Sequence, residues 1–252
     1  MYNAIAIIPA RYASTRFPGK PLADINGKTL IQRVYEQTQK AKNIRRTIIA
    51  TDDHRIEQEC QRIGAEYILT DPALPSGTDR IAQAYQKLGD TADFVLNVQG
   101  DEPIVPPQLL DDLISAAYNN NSHITTPITP IRTTEELLNP TIVTVAMNQH
   151  QQALYFSRSP IPHLQGKPID QWLDNQTYWK HIGLYCYKAE MLRTFAELPP
   201  SPLEKSESLE QLRLLENGAI IHCVKTNATL IAVDTPDDAQ KVRDYLNHHN
   251  LE

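Results

Sequence analysis

Residues 4–22 read AIAIIPARYASTRFPGKPL. Ile5–Ile8 is an apolar run long enough for a buried strand and too short for a helix. Pro9 is expected to end that strand, because proline has no N–H to give to a sheet ladder. Residues 10–20 then carry Arg11, Arg16 and Lys20 with no acidic residue among them, together with the hydroxyls of Ser14 and Thr15. Planar guanidinium groups match phosphate oxygens, so a strand that empties into a cationic, hydroxyl-bearing loop points to a polyphosphate site. An ordinary basic surface loop fits the same composition. Two common phosphate loops are excluded: Gly19-Lys20 is followed by Pro21 rather than Ser or Thr, and no Gly-x-Gly-x-x-Gly follows the strand.

Working outward, strand-like and helix-like segments alternate through the first half, which predicts an α/β fold with a mostly parallel sheet and helices on both faces. Leu30, Ile31, Val34, Tyr35 and Thr38 share one helical face. Thr47–Ala50, Tyr67–Leu69 and Asp93–Val98 read as strands, and helices are expected around Ile56–Ile63 and Thr78–Leu88. In such sheets ligands bind beyond the carboxyl ends of the strands. Later, Ile124–Ile128, Ile142–Met147, Ile182–Tyr187, Ile220–Lys225 and Leu230–Val233 read as strands, with helices at Leu209–Leu215 and Asp237–Leu246. The proline-bearing stretch Ser159–Tyr178 reads as an excursion from the sheet. Without linkers or repeats, residues 1–252 are read as one domain.

The bulk properties restrict partners. At 252 residues the chain can bury a substantial core. A net charge of −6 gives no support to nucleic acid as a partner, since a phosphate backbone needs a basic face. The cationic loop is therefore a local patch, suited to a small anion. No apolar stretch approaches the ~20 residues that span a bilayer, and the apolar run at the N-terminus is too short for a signal peptide. Cys60, Cys186 and Cys223 are far apart and form no Cys-x-x-Cys pair, so a reducing, cytoplasmic location is expected.

Candidate functional residues lie at strand ends. Asp101, next to Gly100 after a strand, can project a carboxylate into the site, and Asp234 is the natural second carboxylate. Magnesium takes one or two such oxygens and fills its octahedron with phosphate and water. Either aspartate could instead be a turn or helix-cap residue. Ser76-Gly77 suits a nucleobase slot, or simply a helix start, and the two readings are compatible. Arg158 can hold a carboxylate through two parallel hydrogen bonds, and His181 is either a ligand contact or a structural histidine.

The run PARYASTRFPGKPL resembles the nucleotide loop of the CMP-KDO synthetase family, the 3-deoxy-manno-octulosonate cytidylyltransferases. Similar runs follow in the family's order: Thr51-Asp52-Asp53, Ser76-Gly77-Thr78-Asp79-Arg80, Asn97-Val98-Gln99-Gly100-Asp101-Glu102-Pro103, Tyr155-Phe156-Ser157-Arg158, His181-Ile182-Gly183, Leu209-Glu210-Gln211-Leu212-Arg213 and Val233-Asp234-Thr235-Pro236. The resemblance covers nearly the whole chain. It implies a nucleotide-diphospho-sugar transferase-like fold and transfer of a cytidylyl group from CTP to KDO for lipopolysaccharide synthesis, with Mg2+ as cofactor. It also implies a homodimer, toward which the 159–178 excursion would reach. Nucleotide contacts fall on Arg11, Ser14, Arg16, Lys20, Ser76, Gly77 and Asp101. Metal ligands fall on Asp101 and Asp234, and catalytic roles on those two with Arg16 and Lys20. Sugar contacts fall on Gln99, Arg158, His181, Tyr185, Glu210 and Gln211. Departures are Thr144, where the family commonly has lysine, Ala232 for glycine, Phe17 for leucine and Lys188 for arginine. Thr144 and Ala232 leave open a related acid, such as 8-amino-KDO or a sialic acid. A non-catalytic nucleotide sensor is the rival from another class.

Overall fold

The computed structural model describes residues 2–14 and 16–249; the hydroxyl of Thr15 lies outside the described residues. The chain gathers into two compact units, one of them Ser115–Ala228 and the other the sequence before and after it.

The unit that opens the chain begins with β1 (Ala4–Ala10), a hairpin of β2 (Asp24–Ile25) and β3 (Lys28–Thr29), and α1 (Leu30–Gln39). It continues through β4 (Ile44–Thr51), α2 (His54–Ile63), β5 (Glu66–Leu69), α3 (Gly77–Leu88) and β6 (Phe94–Asn97), and the boundary falls within α4 (Pro107–Asn119). Its strands lie in the order β5–β4–β1–β6, and every neighbouring pair is parallel. Ile5, Ile7, Ile8, Ile48, Ile49, Val95 and Leu96 are fully buried, as parallel strands covered by helices require.

Pro9 does not end β1. It pairs with Ala50, one residue short of the strand's last pair, Ala10 with Thr51. The register with β6 stops earlier, at Ile7 and Asn97. At Pro9 the strand has a neighbour on one side alone, and there a missing N–H costs the ladder least.

The second unit contains β7 (Ile124–Pro130), α5 (Thr134–Leu138), β8 (Thr144–Met147), β9 (Ala153–Ser157), α6 (Trp172–Asn175), β10 (Trp179–His181) and β11 (Tyr185–Lys188). It ends with α7 (Ala189–Glu197), α8 (Pro202–Glu207), α9 (Gln211–Glu216) and β12 (Ile221–Lys225). Here the pairing is mainly antiparallel. β11 pairs with the first residues of β7 and β10 with its last, while β12 runs parallel to β7. The predicted strand Ile182–Tyr187 starts late, as β11 at Tyr185: Leu184 N–H turns back to the Ile182 carbonyl, in the connection that separates β10 from β11. The 159–178 stretch folds onto its own cluster of Ile131, Leu137, Trp172 and Tyr178, with Trp172 stacked on Tyr178 at 5.6 Å between ring centres.

The chain then returns to the first unit. Leu230–Val233 is not a strand; Val233 N–H donates to the Asp101 carbonyl, and no ladder forms. α10 (Pro236–His248) buries Ala239, Val242 and Leu246 against Ile25, Leu30, Ile104 and Val233. All three cysteines are buried and free. No helix among the described residues is long and apolar enough to cross a membrane.

Candidate active site

From β1 the chain moves outward to β4 and β5, then returns to place β6 on the other side of β1. The connections that leave the carboxyl ends of β1 and β6 therefore diverge, and the crevice between such ends is where sheets of this kind bind ligands. The two connections are residues 11–23 and 98–106. Gly100, in the second of them, packs against the end of β1: a Cβ there would stand 2.6 Å from the Pro9 carbonyl oxygen. A side chain at this position would push the loop after β6 away from β1.

The loop after β1 is closed at its base by Gly19 N–H donating to the Tyr12 carbonyl at 3.0 Å. Gly19 has φ 71, a left-handed conformation that glycine adopts without strain. Next comes Lys20, whose Nζ lies 2.9 Å from Asp101 Oδ2 and 3.2 Å from Asp234 Oδ1. Arg16 reaches the same Asp234 oxygen at 3.0 Å. Burial disfavours the charged form of Lys20, but attraction to Asp101 and then Asp234 outweighs it and raises its pKa above the usual lysine value. The ammonium is therefore held firmly between two carboxylates.

Asp234 has no capping duty. Thr235 caps α10 and closes a capping box with Asp238, which leaves the Asp234 carboxylate to Lys20 and Arg16. Two hard oxygen donors that already converge on one cation are a fitting set for magnesium, whose other positions go to phosphate and water.

The remaining predicted nucleotide residues are tied into the loop framework. Arg11 donates to the Leu74 carbonyl at 2.6 Å. Ser14 Oγ accepts from Phe17 N–H at 3.4 Å. Ser76 is the N-cap of α3, accepting from Asp79 N–H and donating to its carboxylate. Gly77 follows at the helix start, where a Cβ would make only an ordinary contact with Pro9. Ser76-Gly77 is thus a helix start. Gln99 donates to Asn97 Oδ1.

In the second unit, His181 and Tyr185 lie side by side, their rings 5.4 Å apart, and Phe156 meets the His181 ring edge-on. Burial pushes His181 down to about 3, so its imidazole is neutral, and its Nε2 lies 3.0 Å from Thr126 Oγ1. Burial also drives the Tyr185 phenol well above its ordinary value. Gln211 is buried, and its Nε2 has no hydrogen-bond partner among the described residues. A buried amide in that condition calls for an acceptor. Glu210 precedes it at the start of α9 without a side-chain cap bond. Arg158 is a clamp on its own unit, donating to the carbonyls of Glu207, Ser208 and Pro140.

Comparison with known proteins decides the lineage. The family profile described as cytidylyltransferase matches residues 5–226. A 3-deoxy-manno-octulosonate cytidylyltransferase of Parabacteroides distasonis is 46% identical over 98% of this chain and 99% of its own. The chain belongs to the 3-deoxy-manno-octulosonate cytidylyltransferase family. The protein of that name from Cytophaga hutchinsonii is 48% identical over 95% of this chain and 96% of its own. A solved CMP:2-keto-3-deoxy-manno-octonic acid synthetase, complexed with CTP, superposes with a TM-score of 0.90 at 39% identity, covering 98% of this chain and 99% of that one. A Leptospira borgpetersenii cytidylyltransferase at 13% identity and TM-score 0.65 shares the fold.

Within this cytidylyltransferase, sequence reasoning passed over Arg80. Arg80 is fully buried; it reaches Asp52 at 2.8 Å and also Thr70, while its Nε has no partner among the described residues. The signal was present, since Asp52 and Arg80 each lie in a quoted motif, but a pairing between strand end and helix cannot be read from either motif alone. Thr144, the departure from the family pattern, is buried and locks β8 by donating to the Ser157 and Ser159 carbonyls. It brings no charge.

Proposed function

We propose that this chain transfers a cytidylyl group from CTP to 3-deoxy-D-manno-octulosonate, giving CMP-KDO and pyrophosphate. The names of its full-length relatives support the substrates. The observation that carries the chemistry is the Lys20 ammonium poised between Asp101 and Asp234 with Arg16 alongside. In the reaction the sugar's anomeric oxygen bonds to the α-phosphorus as the bond from that phosphorus to the bridging oxygen breaks. Pyrophosphate leaves with the electron pair, and the hydroxyl proton passes to solvent. Such transfers depend on positioning and charge neutralisation more than on covalent help from the protein.

Arg16 and Lys20 neutralise the β- and γ-phosphates and the charge that grows on the leaving group. Arg11, Ser14, Ser76 and Gly77 shape the nucleotide's seat. Asp101 and Asp234 would hold magnesium, which supplies further neutralisation and acidifies a hydroxyl it touches. Gln99 and Arg158 carry proposed sugar contacts, as do His181, Tyr185, Glu210 and Gln211. The solitary Gln211 amide supports that role, because a sugar hydroxyl or carboxylate oxygen would satisfy it. The same reading carries with it a single catalytic domain, a homodimer and a cytoplasmic location.

A pyrophosphate-release assay over four nucleoside triphosphates and a panel of acids tests the function. Release is expected with CTP and KDO, well above release with 8-amino-KDO or a sialic acid. Nucleotide binding without release for any acid would instead mark a sensor.

A further inference from the structure

Tyr12 stands at the opening of the nucleotide loop, and both its backbone and its ring are engaged. Its carbonyl takes the Gly19 N–H that closes the loop. Its ring lies over Gly19 so closely that a Cβ there would stand 3.0 to 3.3 Å from the hydroxyl oxygen and two ring carbons. The guanidinium carbon of Arg55 sits 3.2 Å from the ring centre. Arg55 belongs to the first turn of α2 and is itself held. Asp53, the N-cap of that helix, accepts from Arg55 N–H and Nε at 2.9 Å and from a terminal nitrogen at 2.7 Å. The fork lowers Asp53 to about 2 and raises Arg55 above its ordinary value. A chain of contacts therefore runs from the carboxyl end of β4 through Asp53, Arg55 and Tyr12 to Gly19, the residue before Lys20.

We propose that Asp53, Arg55 and Tyr12 form a brace that fixes the position of the nucleotide loop, with Tyr12 the positioning residue and Arg55 its support. This rests on the reading of residues 11–20 as the triphosphate-binding loop. None of the three residues carries a predicted nucleotide contact; their effect passes through Gly19 to Lys20. Without the brace the base of the loop at Tyr12 and Gly19 would be held by a backbone hydrogen bond, and more of its ordering would fall to the nucleotide. With the brace in place that ordering is done before the nucleotide arrives, and the gain appears in nucleotide affinity. The ring is the working part of Tyr12, because a cation over an aromatic face is attracted by the ring's quadrupole and needs no hydroxyl.

The test measures CTP binding by titration calorimetry together with KM and kcat. Arg55→Ala and Tyr12→Leu are expected to weaken CTP binding and to raise KM for CTP by roughly two- to five-fold, the size of an exposed cation–π contact. KM for the sugar acid should stay unchanged. Tyr12→Phe should match the wild type. Asp53→Asn, which still caps α2, should give a smaller loss in the same direction. The Tyr12→Leu/Arg55→Ala double variant should be no worse than the weaker-binding single variant, because both remove one contact. Unchanged CTP affinity in Arg55→Ala overturns the brace, and so does full additivity in the double variant, which would mean that Arg55 acts through its charge alone. Arg55 is on the surface, so that variant remains informative if Tyr12→Leu folds poorly. Wild-type protein that binds no CTP would overturn the functional reading itself, a result distinct from a wild type that binds and an Arg55 variant that binds equally well.

Discussion

Lys20 carries one positive charge against two carboxylates, and only 15% of its side chain is exposed. Replacing it with methionine has two expected consequences. Turnover should fall by about 10²–10³-fold, the usual cost of removing one preorganised charge from a transferring group. Binding of Mn2+ in the absence of nucleotide, followed by electron paramagnetic resonance, should become tighter, because Asp101 and Asp234 would lose the cation between them. Unchanged metal affinity would show that the ammonium does not compete for the carboxylates. Much of this cluster was legible beforehand. Strand-end position and residue type singled out Arg16, Lys20 and Asp101. For Asp234 the sequence left capping open, because Asp-Thr-Pro-Asp-Asp offers three acids and a threonine at one helix start, and only the hydrogen bonds assign the cap to Thr235. Arg158 adds contacts that no motif announces: it donates to three carbonyls of its own unit.

At the scale of elements, the junction of β1 with the loop after β6 depends on Gly100. In Gly100→Ala the new methyl group would meet the Pro9 carbonyl at 2.6 Å, and backbone cannot rotate away as a side chain can. Overpacking of this kind costs about 1–3 kcal/mol. A urea titration should show that loss, and activity should fall further than stability because Asp101 is the next residue. A variant with wild-type stability and turnover would mean that the loop after β6 shifts from β1 without consequence. The alternating elements of the first unit were readable because buried parallel strands are short apolar runs set between amphipathic helices. The β2–β3 hairpin went unread: Asn26-Gly27, both at positive φ, is a turn signal, but the strands on either side have two residues each and carry no periodicity. β9 and β10 were hidden for another reason: Tyr155-Phe156-Ser157-Arg158 and His181-Ile182-Gly183 are noticeable as motifs, and antiparallel pairing is a property of two segments at once. Leu230–Val233 has the apolar content of a strand, yet it lies against the Asp101 backbone through a single bond.

For the molecule as a whole, pH separates contributions that no single contact reveals. His181 is depressed to about 3 and His222 is lowered, both by burial. An unfolded histidine titrates near 6.5, so below that value the unfolded chain binds protons that the folded chain refuses, and stability falls as the pH drops from about 6.5 toward 3. For His181 the slope approaches about 1.4 kcal/mol per pH unit. Asp53 and Asp238, each lowered to about 2, act in a later window. Their contribution is complete above the unfolded value of 3.8 and is lost as the pH falls through 2. Both histidines lie in the Ser115–Ala228 unit, and so do both tryptophans, Trp172 and Trp179. Tryptophan fluorescence therefore reports that unit, while far-ultraviolet circular dichroism reports helices of both. Between pH 6.5 and 4.5 the urea midpoint by fluorescence should fall steadily, and His181→Gln should flatten the fall while leaving a residue due to His222. If the chain is one cooperative domain, as proposed, the dichroism midpoint must fall with it, because a proton taken up in one unit then destabilises both. A fluorescence transition that moves with pH while the dichroism separates into two steps would show that the units unfold independently and that the single-domain reading is wrong.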